Sequence, residues 1–355
     1  MTITERNRFD FLDGLGANHT RRLTGRMDRD TDDAGIAILD DFTPDAGEEV
    51  AHGEKVEQVL MDSGGFDEDD VERYQNTGGV SIEPLLAVGE DEFGGELDAY
   101  IEGRFVGLLE ATSDNLEEIL QDHDIRVINQ SQSVSEARVT ARLWAQAQDD
   151  PEFRRQLERE LGLASPAEDA DLLQALVDRV DHVVEGSQRV QEAQQRYDGL
   201  TAELDERGVV YVVTAGNLGS FAREMERLGV EGDADFFHSA FDNGHTTVVG
   251  ASDGEEGPAD FTSPDAGAEL AIDGEDVPIS VNGHEFASDG TSFAAPQVAA
   301  LAARMLEVNP DLTDEEVERM MESSADPGDS DTLGAGVVNP EVALLLAYLS
   351  GRRAA

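Results

Sequence analysis

Apolar positions along the chain fall into two patterns. Gly35-Ile36-Ala37-Ile38-Leu39 and the stretches 125–129, 209–213 and 246–250 are short apolar runs bounded by turn residues, which predicts buried strands. Between them, residues 50–62 place Val56, Val59 and Leu60 on one face of a helix. A second helix is predicted over 105–122, and 136–207 reads as mostly helical. In that stretch Leu143, Trp144, Phe153, Leu157 and Leu161, then Leu172, Leu173, Leu176, Val177 and Val180, keep helical spacing, with a break at Ser165-Pro166. Residues 292–308 read as a helix of small residues. Thr313 with Glu316 makes a capping-box start for a helix to about 323. A strand is expected at 85–88, within an acidic, glycine-rich stretch, and 261–288 reads as turn-rich. Residues 1–33 form a charged arm ending in Asp28-Arg29-Asp30-Thr31-Asp32-Asp33. Strands alternating with helices predict an α/β fold of three layers, a mostly parallel sheet with helices on both faces. The arm 1–33 would precede one domain over 34–350. There are no internal repeats.

Charge sharpens this picture. Acidic residues number 78 against 25 basic ones, a formal net charge of −53, and the single lysine is Lys55. The acids are spread through the periodic segments rather than gathered in a tail, which argues for a folded acidic surface. Such a surface repels nucleic-acid backbones and anionic membranes, so neither is an expected partner. An acidic, lysine-poor chain of this kind fits a salt-rich, halophile-type environment. There is no cysteine, hence no disulfide or thiolate chemistry. The first residues hold no apolar run of signal-segment length and no stretch reaches membrane-span length, which predicts a cytoplasmic protein. Nothing in the pattern specifies an oligomeric state.

The chemistry concentrates in Gly290-Thr291-Ser292-Phe293-Ala294-Ala295-Pro296. A glycine turn here delivers Ser292 to the first turn of an alanine-rich helix, whose free N–H groups and dipole suit an oxyanion. Taken alone, the segment reads first as a Ser/Thr helix cap. His52 alone reads as a solvated histidine at a helix start, and Asn217 alone as a turn residue. No HExxH or cysteine motif suggests a metal. Glu158 and Glu160 read as a solvated helix face rather than a glycosidase pair.

Taken together, these segments resemble the subtilisin-like serine proteases, the subtilases. Ile36-Ala37-Ile38-Leu39-Asp40 is similar to the strand ending in the family's catalytic Asp. His52-Gly53 is similar to the start of its His helix, and Val213-Thr214-Ala215-Gly216-Asn217 to the strand ending in its oxyanion Asn. The seven residues around Ser292 are similar to its nucleophile motif. Their chain order, Asp then His then Ser, is that of subtilisin. The resemblance implies a subtilisin-like fold and a serine endopeptidase acting on protein or peptide substrates. Asp40, His52 and Ser292 would form the triad, with Asn217 as oxyanion donor. Strand register favours Asp40, with Asp41 as the alternative. The substrate would lie along Ser131, Gln132 and Ser133 and along Ala215 and Gly216. The resemblance calls for no cofactor in catalysis and leaves a structural calcium open.

Several positions depart from the family pattern. Asp41 and Phe42 stand where a small residue and a glycine are usual, Lys55 where a second His is, and Gln297 where a His follows the Pro. Only 12 residues separate Asp40 from His52. These departures leave a second reading, a catalytically inactive subtilase-fold protein that binds peptides or serves in assembly. Ser133 replaces a glycine, which should make the first specificity pocket narrower and more polar. The helical stretch about 137–185 resembles an insertion.

Overall fold

The computed structural model describes residues 35–353, apart from 123, 255, 256 and 329. The expected arm 1–33 lies outside the described residues.

Six parallel strands form the central sheet in the order β2-β1-β3-β4-β5-β6. They are β1 Gly35–Asp40, β2 Val71–Gln75, β3 Ile125–Gln130, β4 Val210–Thr214, β5 Thr247–Ser252 and β6 Leu270–Asp273. Alternation along β1 divides the core. Ile36 and Ile38 face one side with Val127, Val212 and Val249; Ala37 and Leu39 face the other with Ile128, Val213 and Val248. Both faces are therefore apolar and both are covered, giving the expected three layers.

One face is covered by α1 His52–Gly64 and, further along the chain, by three helices near the C-terminus. The other carries α2 Glu83–Ala87, α3 Glu90–Ile119, α4 Glu136–Asp149, α5 Pro151–Glu160, α6 Asp169–Gly186, α7 Gln188–Glu206 and α8 Gly219–Leu228. The C-terminal helices on the first face are α9 Thr291–Val308, α10 Asp314–Ser324 and α12 Pro340–Arg353, with the single turn α11 Ser330–Leu333 between the last two. Helix α9 is built from Ala294, Ala295, Ala299, Ala300, Ala302 and Ala303, all fully buried, so its backbone lies close to the sheet. Thr313 and Glu316 form the expected capping box of α10.

The structure corrects several expectations. Residues 85–88 are not a strand: Pro84 opens α2 and Leu85 is buried from a helix. Helix α3 starts at Glu90 rather than near 105, its early apolar spacing interrupted by Gly94, Gly95 and Gly103. Strand β2 lay hidden in the acidic stretch because only Val71 and Tyr74 of its five residues are buried. The turn-rich segment 261–288 holds β6 and an antiparallel hairpin, β7 Val277–Val281 and β8 His284–Ser288. Asn282 and Gly283, at φ 53° and 81°, make its turn, and that dipeptide was a legible hairpin signal. Glu158 is not solvated: it is 1% exposed and accepts from Arg154, Ser165 and the Ala167 N–H, tying the following loop to α5.

Candidate active site

The site sits at the C-terminal ends of β1, β3 and β4, where parallel α/β sheets leave a crevice. Asp40 ends β1 with its side chain fully buried. Its Oδ1 accepts from the Asp41 N–H at 2.7 Å and lies 2.8 Å from His52 Nδ1. Its Oδ2 is buried without a partner among the described residues. Asp41 turns elsewhere, accepting from the Thr43 N–H and Gln75 Nε2. It is therefore Asp40, not Asp41, that meets the imidazole.

The short separation between Asp40 and His52 depends on close packing of their neighbours. Gly53 N–H donates to Asp41 O at 2.9 Å. A Cβ on Gly53 would come within 2.9 Å of the Phe42 ring and 3.0 Å of Asp41 O. Phe42 and Gly53 thus fit as a pair, with the ring at the position where the family pattern has a glycine. His52 is the first residue of α1, its side chain 41% exposed. Burial works against protonation of the ring, but the hydrogen bond and charge of Asp40 outweigh it and raise the imidazole above its ordinary 6.5.

Ser292 is the second residue of α9. Its Oγ donates to Ser131 O at 3.1 Å, and its own carbonyl accepts from Ser131 Oγ at 3.0 Å. The hydroxyl is thus turned to Ser131 rather than to His52, whose ring lies 5.8 Å from that of the adjacent Phe293.

Asn217 is held by one end of its amide. Oδ1 accepts from the Thr291 N–H at 2.9 Å and from Thr291 Oγ1 at 2.8 Å, which leaves Nδ2 for another partner. Thr291, fully buried, also accepts from Thr214 Oγ1 at 2.5 Å and the Gly216 N–H at 3.1 Å. Where a Cβ would stand on Gly290, two donors converge: Asn217 Nδ2 at 3.2 Å and the Ser292 N at 3.6 Å. Gly290, at φ 155° and ψ 149°, leaves that space open.

Ser131, Gln132 and Ser133 continue the chain beyond β3, and Ala215 and Gly216 continue it beyond β4. Gln132 Nε2 donates to Asn76 O at 3.0 Å. Lys55 lies 3.4 Å from Glu48 and 4.8 Å from the Phe286 ring centre, a packing role at the place of the family's second His. Gln297 Nε2 donates to Asp273 O at 2.7 Å, tying α9 to the end of β6. Thr291, Gly290 and Ser263 were not singled out from sequence as site residues. Thr291 and Gly290 lie inside the nucleophile motif, whereas Ser263 carries no local signal.

The model of the subtilase family matches residues 106–336. The chain belongs to the subtilase family. The match takes in Asn217 and Ser292; Asp40 and His52 precede it, and their contact is a finding of the structure. Subtilisin DY of Bacillus licheniformis is 33% identical over 138 residues, 38% of this chain and 47% of that protein. Alkaline elastase YaB of Bacillus sp. (strain YaB) is 34% identical over 98 residues, 27% of this chain and 26% of that protein. The matched stretches thus span less than half the length of these relatives. A lanthipeptide protease superposes with a TM-score of 0.50 at 15% identity, covering 97% of this chain and 96% of that one. The prenylagaramide maturation protease PagA gives 0.50 at 14%, covering 92% and 98%. At these identities the likeness is one of fold. Subtilases need no cofactor for catalysis. Among the described residues no group of three or more His, Asp or Glu is arranged to hold a metal. No described helix is long and apolar enough to cross a membrane.

Proposed function

We propose that this chain is a serine endopeptidase that cleaves peptide bonds through an acyl-enzyme, with Asp40, His52 and Ser292 as triad and Asn217 as oxyanion donor. The reading is carried by the convergence of Asn217 Nδ2 and the Ser292 N, 3.2 and 3.6 Å from the position a Cβ on Gly290 would take. Two N–H donors this close to one position suit a developing oxyanion.

Rotation of Ser292 about χ1 releases Oγ from Ser131 and turns it toward His52. Asp40 Oδ1 accepts the hydrogen bond from Nδ1–H, which leaves Nε2 as the base. Nε2 removes the proton as Oγ attacks the carbonyl carbon, and the oxygen becomes an anion held by Asn217 and the Ser292 N–H. The C–N bond then breaks as the imidazolium gives its proton to the leaving amine. Water enters, loses a proton to Nε2, and attacks the ester by the same route. Substrates are proteins or peptides bound in the crevice.

A fluorophosphonate serine probe tests the reading in molar KCl. Covalent label on the wild type that is lost in Ser292→Ala supports it. Absence of label on the folded wild type would favour the inactive peptide-binding alternative.

A further inference from the structure

We infer that Arg138, with Arg104 and Arg142 beside it, binds an acidic side chain of the peptide substrate, so that cleavage is favoured close to Asp or Glu. The inference rests on the peptidase reading above and adds a substrate preference to it.

A cation with no acid beside it is unusual in this chain, where acids outnumber basic residues 78 to 25. Most described arginines meet a carboxylate. Arg73 meets Glu57, Arg154 meets Glu158 and Asp169, and Arg196 meets Asp114 and Glu117. Arg104, Arg126, Arg138 and Arg142 have no such partner among the described residues. Arg126 is the second residue of β3, at the end of the strand away from the site. The other three come together. Tyr100 and Arg104 lie one turn apart on α3, and Arg138 and Arg142 one turn apart on α4, so each pair shares a helix face. Burial raises the Tyr100 hydroxyl, and the charges of Arg104 and Arg142 both oppose that rise, which puts the two faces side by side. Gathering like charges this way is unfavourable until an anion joins them.

The cluster borders the site. Helix α4 begins a short step beyond Ser131, which exchanges hydrogen bonds with Ser292. Ser135 Oγ accepts from the Arg138 N–H at 3.1 Å and fixes that residue in the first turn. Burial, then Lys55 and Arg138, work against protonation of His52, so the guanidinium stands within reach of the imidazole. Lys55 is paired with Glu48; Arg138 has no such pairing. On the other side Arg104 Nη1 lies 3.5 Å from Val80 O, in the segment that Gln132 Nε2 ties to the site through Asn76 O at 3.0 Å.

The Arg138 side chain is exposed, yet crowding by protein, then the charge of Arg104, lowers its pKa. A guanidinium open to solvent but short of it lies in a recess, where a carboxylate gains more from pairing than on an open surface. A peptide extends about 3.3 Å per residue, so an Asp or Glu within a few positions of the scissile bond can reach it. Molar salt suits this arrangement. With a screening length of about 3 Å the acidic surface no longer repels an acidic peptide at range, while a two-point Arg–carboxylate contact persists.

The experiment uses end-blocked fluorogenic peptides in molar KCl. Asp or its isostere Asn is placed in turn at each position from four before to two after the scissile bond. Wild type is expected to favour Asp over Asn in kcat/KM by at least about tenfold at one position, the scale of one charge-assisted hydrogen bond. Arg138→Gln should bring that ratio to about one. Arg138→Lys should keep part of it, since an ammonium holds the charge but lacks the two-point fork. Arg104→Gln should lower it less than Arg138→Gln does. If Arg138 only tuned His52, Arg138→Gln would change Asp and Asn peptides alike and leave the ratio where it was. Such an unmoved ratio, or a wild type that favours Asp at no position, overturns the inference and leaves the peptidase reading intact. Failure to cleave any peptide, with no fluorophosphonate label, overturns both.

Discussion

The Thr291 hydroxyl and N–H both donate to Asn217 Oδ1, at 2.8 and 2.9 Å, and together they decide which end of the Asn217 amide faces Ser292. Without the hydroxyl a single donor, the N–H, is left to hold that oxygen away from an oxyanion. Asn217→Ala is expected to lower kcat by about 10²–10³ with little change in KM, the usual cost of one oxyanion donor. Thr291→Val should give a smaller loss, also in kcat, and Thr291→Ser should restore it. A loss confined to KM in either case would mean that Asn217 binds ground-state substrate instead.

Gly290 gives an independent check on the same space. A methyl there would stand where Asn217 Nδ2 and the Ser292 N converge, 3.2 and 3.6 Å away. Gly290→Ala is expected to cut kcat by more than about 10²-fold. At φ 155° the alanine is strained and its methyl also meets the Phe293 ring at 3.5 Å, so circular dichroism must show the variant folded before the loss is assigned to the oxyanion position. Full activity in this variant would remove the oxyanion site from this position.

What the sequence made legible were the features written in adjacent residues. The buried run of β1, the small-residue helix α9 and the motif around Ser292 each lie within a few positions. The Asp40–His52 contact was harder, because it depends on Phe42 fitting against Gly53, a pairing that only coordinates reveal. Thr291 reads as a helix-start threonine until Thr214 and Asn217, more than seventy positions earlier, close around it. Glu158 looked like a surface acid because the loop that folds back over it, through Ser165 and Ala167, follows α5 in the chain. Strand β2 was missed because an edge strand buries few side chains and so lacks the signal of an interior one.

The His52 imidazole sets an acid limb. Its folded pKa lies above 6.5, and the base form is needed, so kcat/KM should rise with pH through an apparent pKa higher than that. Asp40→Asn removes the hydrogen bond and charge that raise it, leaving burial and the charges of Lys55 and Arg138, all of which lower it. The limb should then move to lower pH while activity falls by about 10⁴-fold. Asp41→Asn should leave most activity, since its carboxylate serves Thr43 and Gln75. The reverse outcome for the two variants would transfer the role to Asp41.

Salt dependence follows from a net charge of −53. Glu275 illustrates the local problem: burial raises its carboxyl, and Asp289, Asp253, Asp276 and Asp260 add to the rise. At 0.1 M salt the screening length is about 10 Å and neighbouring carboxylates repel; at 1 M it is about 3 Å. The thermal midpoint is expected to climb steeply between roughly 0.05 and 3 M KCl, and a neutral osmolyte should not substitute for salt. A midpoint flat across that range would sink the screening account and the halophile-type reading with it.

Helix α10 carries a pH dependence of stability. Asp314 and Glu318 lie one turn apart on it and meet Asp205 and Glu269 respectively, acid against acid. Glu269 also accepts from the Val248 N–H at 3.0 Å, and Asp205 lies 2.6 Å from His245 Nδ1. Burial, then the neighbouring Glu318, pushes Glu269 up to about 9; burial, then Asp205, pushes Asp314 up to about 7. Each pair is best satisfied when it shares a proton. The folded state therefore keeps protons that the unfolded chain gives up near 4.5 for Glu and 3.8 for Asp. Between those values and the folded ones the native state binds more protons, so stability falls as pH rises. The thermal midpoint in constant molar KCl should decline from about pH 5 to pH 9 and level off beyond. Glu318→Gln leaves Glu269 a neutral amide donor in place of a second carboxylate. That variant should flatten the upper part of the decline and raise the midpoint at pH 9 above that of the wild type. An equally steep decline in Glu318→Gln would place the titration elsewhere.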